Sequence, residues 1–198
     1  FYQKGEYDLA GFIVGMVDES KVLGNRKVEQ GDILVGLRSS GLHTNGYSLA
    51  RKIFFDQEKL RVDSYVESLG RTAAEELLAP HRNYLPMVKE LVQSDDLHAM
   101  AHITGGGITE NLDRVLPAHL DGAVQRGSWE VLPVFRFLRE RGQVEDEEMY
   151  RTFNMGIGLI LVVARDRLSR VEDYLRTRND QYYLIGEVVA GTGKVRYV

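Results

Sequence analysis

The chain of 198 residues contains no cysteine, which excludes disulfides and thiolate chemistry and fits a reducing compartment such as the cytoplasm. It has no long apolar run either. The longest, Ile157 to Ala164, is interrupted by Gly158. It falls far short of the roughly 20 residues that cross a bilayer, so no membrane partner is expected. No basic stretch followed by an apolar one opens the chain, and no secretory signal is visible. An excess of positive charge is also missing: 29 acidic residues against 25 basic ones give a net charge of −4. A dedicated nucleic-acid binder would carry a basic face, so nucleic acid is not an expected partner.

Several motifs are absent or incomplete. Without cysteine or an H-E-x-x-H helix, no metal site is expected. His98 and His102 share one face of a strand but lack the helical spacing of zinc ligands. Glu145, Asp146, Glu147 and Glu148 read as the acidic first turn of a helix rather than a metal cage. Gly191-Thr192-Gly193-Lys194 resembles the end of a phosphate loop, but Val195 replaces the required hydroxyl and no helix can follow. It reads as the turn of a terminal hairpin.

What is present is an ordinary globular composition, 43% apolar and 27% charged, long enough for one sizeable core. Residues 1–198 read as a single domain without repeats or linkers. The chain opens with Phe1-Tyr2 directly ahead of an apolar run, the appearance of a piece cut or processed from something longer. Tyr7 to Val17 reads as a buried strand, with Gly11 and Gly15 where a neighbour approaches. Further strands are expected at 33–37, 97–104, 123–125, 159–163, 183–189 and 195–198. Helices are expected after Thr44 or Asn45 as N-cap, and over 73–78, 83–92, 108–116, 133–141, 145–153 and 168–175. The mixture implies an α+β fold, a mixed β-sheet layered with helices.

Three segments could carry chemistry. Ser39-Ser40-Gly41-Leu42-His43-Thr44-Asn45-Gly46 joins a strand to a helix, and its hydroxyls, amide, imidazole and free N–H groups suit phosphate or sugar oxygens. The same residues also suit a capped connection with an Asx turn. Thr104-Gly105-Gly106-Gly107 allows close backbone approach to an anion, or simply a turn with positive φ. Its spacing is not that of a dinucleotide fingerprint. In Met149-Tyr150-Arg151-Thr152-Phe153-Asn154-Met155-Gly156-Ile157-Gly158, Arg151 could clamp a phosphate and Asn154 could bond a substrate amide. The segment equally describes a helix closed by Asn and Gly.

Taken together and in order, SSGLHTNGYSLARKI, LLAPHRNYLPMV, AHITGGGITENLDRVLP and EMYRTFNMGIGLIL closely resemble the carboxy-terminal domain of the aminoimidazole ribonucleotide synthetases, or phosphoribosylformylglycinamidine cyclo-ligases. The likeness runs from Tyr7 to about Val163. It implies a homodimeric, cytoplasmic enzyme of purine biosynthesis whose amino-terminal domain, absent here, holds most of the ATP and Mg2+ ligands. The implied reaction uses ATP to phosphorylate the formamide oxygen of formylglycinamidine ribonucleotide, after which an internal nitrogen closes the imidazole ring. The resemblance places substrate binding on Ser39, Ser40, Thr44, Asn45, Gly105, Gly106, Gly107, Arg151 and Asn154. It makes His43 the candidate catalytic residue, an imidazole that could trade protons near neutral pH. The piece alone is expected to be inactive. A selenophosphate synthetase-like enzyme, or a ligand-binding scaffold without turnover, would look similar in these residues.

Overall fold

The structure, a computed structural model, describes residues 3–198. Strand β6 (Ile157–Val163) is buried at all seven positions, so it must lie inside a sheet covered on both faces. Antiparallel neighbours flank it, β1 (Ile33–Arg38) on one side and β4 (Leu97–His102) on the other. Beyond β1 come β7 (Tyr182–Ala190), β5 (Leu120–Val124) and β8 (Val195–Tyr197), giving the order β4-β6-β1-β7-β5-β8. Only β5 and β8 run parallel in this sheet, which is therefore mixed, as expected. A separate ribbon pairs β2 (Tyr65–Val66) with β3 (Arg71–Thr72).

Alternation along β1 feeds two cores. Leu34 points to one face, where it meets helices α1 (Tyr47–Arg51), α4 (Gly107–Asp113), α5 (Pro133–Gly142) and α6 (Asp146–Thr152). The short α2 (Ala73–Leu77), closed by a Thr72–Glu75 capping box, joins the same layer. Ile33, Val35 and Leu37 point to the other face, covered by α3 (Leu85–Val88) and α7 (Leu168–Thr177). Helix α1 continues into a π-helical turn, Lys52–Gln57, that buries Ile53 and Phe54. Burying a side chain of that size contributes about 1.5–3 kcal/mol, which offsets the poorer hydrogen bonding of a π turn.

Four expectations need correction. Residues 7–17 form no strand: Leu9 is 91% exposed, Phe12 94% and Met16 100%. A strand needs a ladder partner. No described strand pairs with this stretch, and nothing comes within 4 Å of a Cβ placed at Gly11 or Gly15. The terminal strands do not form a hairpin, because β5 lies between β7 and β8. The Asp121 carboxylate on β5 accepts the backbone N–H groups of Thr192 and Lys194, so the glycine turn is wrapped over a strand end. Neither Thr44 nor Asn45 caps α1; Gly46 does, at φ +78°, where a Cβ would collide with the Phe153 ring. The helix expected over 83–92 shrinks to α3 and a 3-10 turn at Leu91–Gln93, since Tyr84, Met87, Val88 and Leu91 are the residues that pack.

One consequence of strand order matters most. Because β6 runs opposite to both β1 and β4, the loops leaving β1 and β4 emerge at the sheet edge where β6 begins: Arg38 pairs with Ile157, and His102 with Leu159. Segments 39–46, 103–106 and 153–156 are thereby neighbours. Elsewhere the sheet is tightest at β7, which bulges against β1, with Leu34 facing Gly186 but Val35 facing Leu184. Gly186 has φ +155°, and a Cβ there would collide with the Ala123 carbonyl oxygen. Gly186→Ala should therefore cost about 1–3 kcal/mol in urea unfolding, the range for forced overpacking. A midpoint equal to wild type would show that the bulge relaxes freely.

Candidate functional site

Asn154 fastens the junction. It is buried, and its Oδ1 accepts from the Ser39 hydroxyl at 2.8 Å and from the Gly156 N–H at 2.9 Å. Its Nδ2 donates to the Gly41 carbonyl at 2.9 Å. Ser39 adds a backbone bond to the Gly156 carbonyl at 2.8 Å. Both side chains expected to meet substrate thus spend these polar atoms holding the first loop to the third.

The glycine segment is pressed against the same framework. A Cβ on Gly107 would collide with the Tyr150 carbonyl, and one on Gly106, at φ +92°, with the Glu110 side chain. Asn111 Nδ2 donates to the carbonyls of Thr104, Gly105 and Gly107, fixing the loop's shape. Glu110 lies over Gly106, so a carboxylate already stands beside the loop expected to hold an anion.

Asn45, Gly105, Gly106 and Arg151 line one open cavity of about 350 Å3, together with Glu110 and Glu148. Arg151 is exposed and pairs with Glu148 at 2.9 Å. Thr44, next to Asn45 in sequence, is exposed, whereas Gly107 is buried. Ser40 lies elsewhere, on a second cavity of about 350 Å3 with Arg38, Arg71 and Arg82. Its hydroxyl donates to the Pro80 carbonyl at 2.7 Å, and its N–H donates to His43 Nε2 at 3.1 Å.

His43 is buried at φ +59° and stacks on His81, ring centroids 3.9 Å apart. His81 in turn faces His102, Nε2 to Nε2 at 3.2 Å, and Tyr84 edges all three rings. Burial first, then His81, His102 and Arg82, hold the His43 pKa down to about 3. The imidazole is therefore neutral at physiological pH. Accepting at Nε2 places its proton on Nδ1, which has no partner among the described residues. A histidine held this low differs from the free imidazole, near 6.5, that would trade protons around pH 7. His81 and Glu110 gave no signal in the sequence, and His102 and Glu148 were weighed there only as metal ligands. No spacing links residues 43, 81 and 102; only the stacking does.

Residues 29–198 match the family described as AIR synthase related protein, C-terminal domain. The chain belongs to this family. It is 45% identical over 195 residues to the phosphoribosylformylglycinamidine cyclo-ligase of Alkaliphilus metalliredigens, covering 98% of the chain and 56% of that protein. With the enzyme of the same name from Geobacillus thermodenitrificans it shares 47% over 192 residues, 97% of the chain and 56% of the relative. The domain thus spans little more than half the length of these curated relatives. Among solved structures it resembles thiamine-monophosphate kinase from Stenotrophomonas maltophilia K279a, with TM-score 0.61 and 16% identity over 91% of this chain and 54% of that one. It also resembles the Escherichia coli hydrogenase maturation protein HypE, with TM-score 0.55 and 22% identity over 89% and 49%. These two likenesses establish the fold alone.

Two outcomes test the junction. Asn154→Ala strands a hydroxyl, an N–H and a carbonyl, and should cost about 3 kcal/mol in denaturant unfolding. A loss under about 0.5 kcal/mol would mean that water replaces the amide. The second concerns His43, whose pKa is lower folded than unfolded. Its stabilising contribution is present above pH 6.5 and is lost as pH falls toward about 3. The melting temperature should fall through that window, and His43→Asn, which tolerates the left-handed backbone, should flatten the slope. An NMR titration placing His43 near 6.5 would overturn the assignment.

Proposed function

We propose that residues 1–198 form the substrate-side domain of an ATP-dependent cyclo-ligase that closes formylglycinamidine ribonucleotide to aminoimidazole ribonucleotide. The observation that carries the reading is the meeting of Asn45, Gly105, Gly106 and Arg151, from three distant segments, on one cavity. The homologues' name supports it. In this reading the enzyme is cytoplasmic, acts in purine biosynthesis and works as a homodimer. No helix among the described residues is long and apolar enough to cross a membrane.

The cavity's chemistry suits that substrate. Its two carboxylates outnumber its one guanidinium, which favours amidine nitrogens over a second anion. Glu110 and Glu148 accept from the amidine and the ribose hydroxyls, while Arg151 exchanges Glu148 for the ribose phosphate, a charge-assisted pair. Gly105 and Gly106 let the substrate lie against the backbone, and Asn45 offers an amide to the formamide group. Ser39, Asn154 and His43 set the loop that presents Asn45. Ser40 and Thr44 bracket that loop as hydroxyl donors. ATP supplies the phosphoryl group that turns the formamide oxygen into a leaving group. The internal nitrogen attacks the formyl carbon, the C–O bond breaks, and phosphate departs with its electron pair.

Among the described residues no three His, Asp or Glu side chains gather as a metal cage. As the family resemblance implies, ATP and Mg2+ are assigned mostly to an amino-terminal domain outside these 198 residues. The test is steady-state kinetics on the full-length protein with ATP and formylglycinamidine ribonucleotide. Arg151→Ala should raise the KM for the ribonucleotide about tenfold, equivalent to about 1.4 kcal/mol, and leave the melting temperature nearly unchanged. The 198-residue chain alone should show no turnover. An unchanged KM would remove Arg151 from the site, and turnover by the chain alone would refute the division of labour.

A further inference from the structure

On the opposite flank of α6 from the candidate site lies a separate cavity of about 300 Å3. Its floor is apolar, formed by Phe135, Met155 and the ring of Tyr150, all buried. Three arginines surround it: Arg126, Arg136 and Arg139. The one acid on its wall, Asp146, is committed to Arg139 at 3.4 Å. Arg136 has no partner among the described residues, and Arg126 has no carboxylate there. Arg126 lies instead against two aromatic faces, 4.7 Å from the ring centroids of Tyr150 and of Tyr197.

Guanidinium groups without counter-charges around an apolar floor are poorly arranged for stability alone, since like charges repel and exposed pairs contribute little. The same arrangement is well suited to a ligand with two parts. A planar fork reads a phosphate dianion in bidentate fashion, and a flat ring packs on the apolar floor at Phe135 and Met155, beside the Arg126 plane. A cavity of this size, mostly apolar with a few convergent charged groups, matches the form of small-molecule sites. We propose that this pocket binds a phosphorylated aromatic compound of mononucleotide size, independently of the cyclo-ligase site across α6.

The test is calorimetric titration of the chain with AMP, adenosine and inorganic phosphate. AMP should bind saturably, and the two partial ligands at least tenfold more weakly. Arg136→Ala, on an exposed and unpartnered side chain, should leave the melting temperature unchanged and weaken AMP at least tenfold. Arg151→Ala, in the other cavity, should leave AMP affinity as in the wild type, which separates this proposal from the fate of the cyclo-ligase reading. AMP binding that survives Arg136→Ala, or inorganic phosphate binding as tightly as AMP, would overturn the pocket as a nucleotide site. So would the absence of any heat with AMP.

Discussion

A single side-chain amide decides where the site's parts stand. Asn154 both donates and accepts, so it can hold Gly41, Ser39 and Gly156 at once, which neither a carboxylate nor a hydroxyl could do in the same geometry. Around it the backbone is packed to contact, with the Phe153 ring against Gly46 and the Tyr150 carbonyl against Gly107. Low local polarity strengthens the bonds made and penalises any left unmade, so the junction tolerates little variation. Loops held this way can present Asn45 and Arg151 at a fixed separation although α1 and α6 do not pair through a strand.

The strand order provides the scaffold for that amide. Had β6 run parallel to β1, the loop containing Asn154 would have emerged at the far edge of the sheet, away from Ser39. Antiparallel pairing on both sides of β6 brings three sequence-distant turns to one rim. The helices then leave in the same layer, so α4 and α6 pack closely enough to require glycine at 107. Architecture and chemistry are linked here by direction of chain, not by any one residue type.

Much of this was legible beforehand where local pattern and tertiary environment agree. β1, β4 and β6, and helices α5, α6 and α7, fall close to where local pattern places them, β5 begins three residues earlier than expected, and the α+β class follows. Periodicity misled where a partner decides the outcome. Residues 7–17 have strand composition without a strand beside them, and β7 and β8 look like a hairpin because sequence cannot show a third strand entering between them. For the candidate site, motif composition singled out segments that the fold brings together, but not which polar atoms face inward. Asn154 and Ser39 read as ligand groups because an amide and a hydroxyl look alike whether they hold a substrate or a backbone. The histidine cluster was invisible for a related reason: residues 43, 81 and 102 are distant in sequence and meet only through side-chain contacts, ring on ring and Nε2 to Nε2.

The passage of the chain over β5 has a kinetic corollary. β8 pairs with β5 and with no other strand, and β5 reaches the sheet only by pairing with β7. The edge that receives β8 therefore does not exist until β7 has joined β1 and β5 has joined β7. β8 is therefore the last of these strands to dock, however early its neighbours in sequence are in place. Tension applied at the carboxyl end would peel β8 away first, freeing the wrapped turn from Asp121 while the four strands from β4 to β7 keep their ladders.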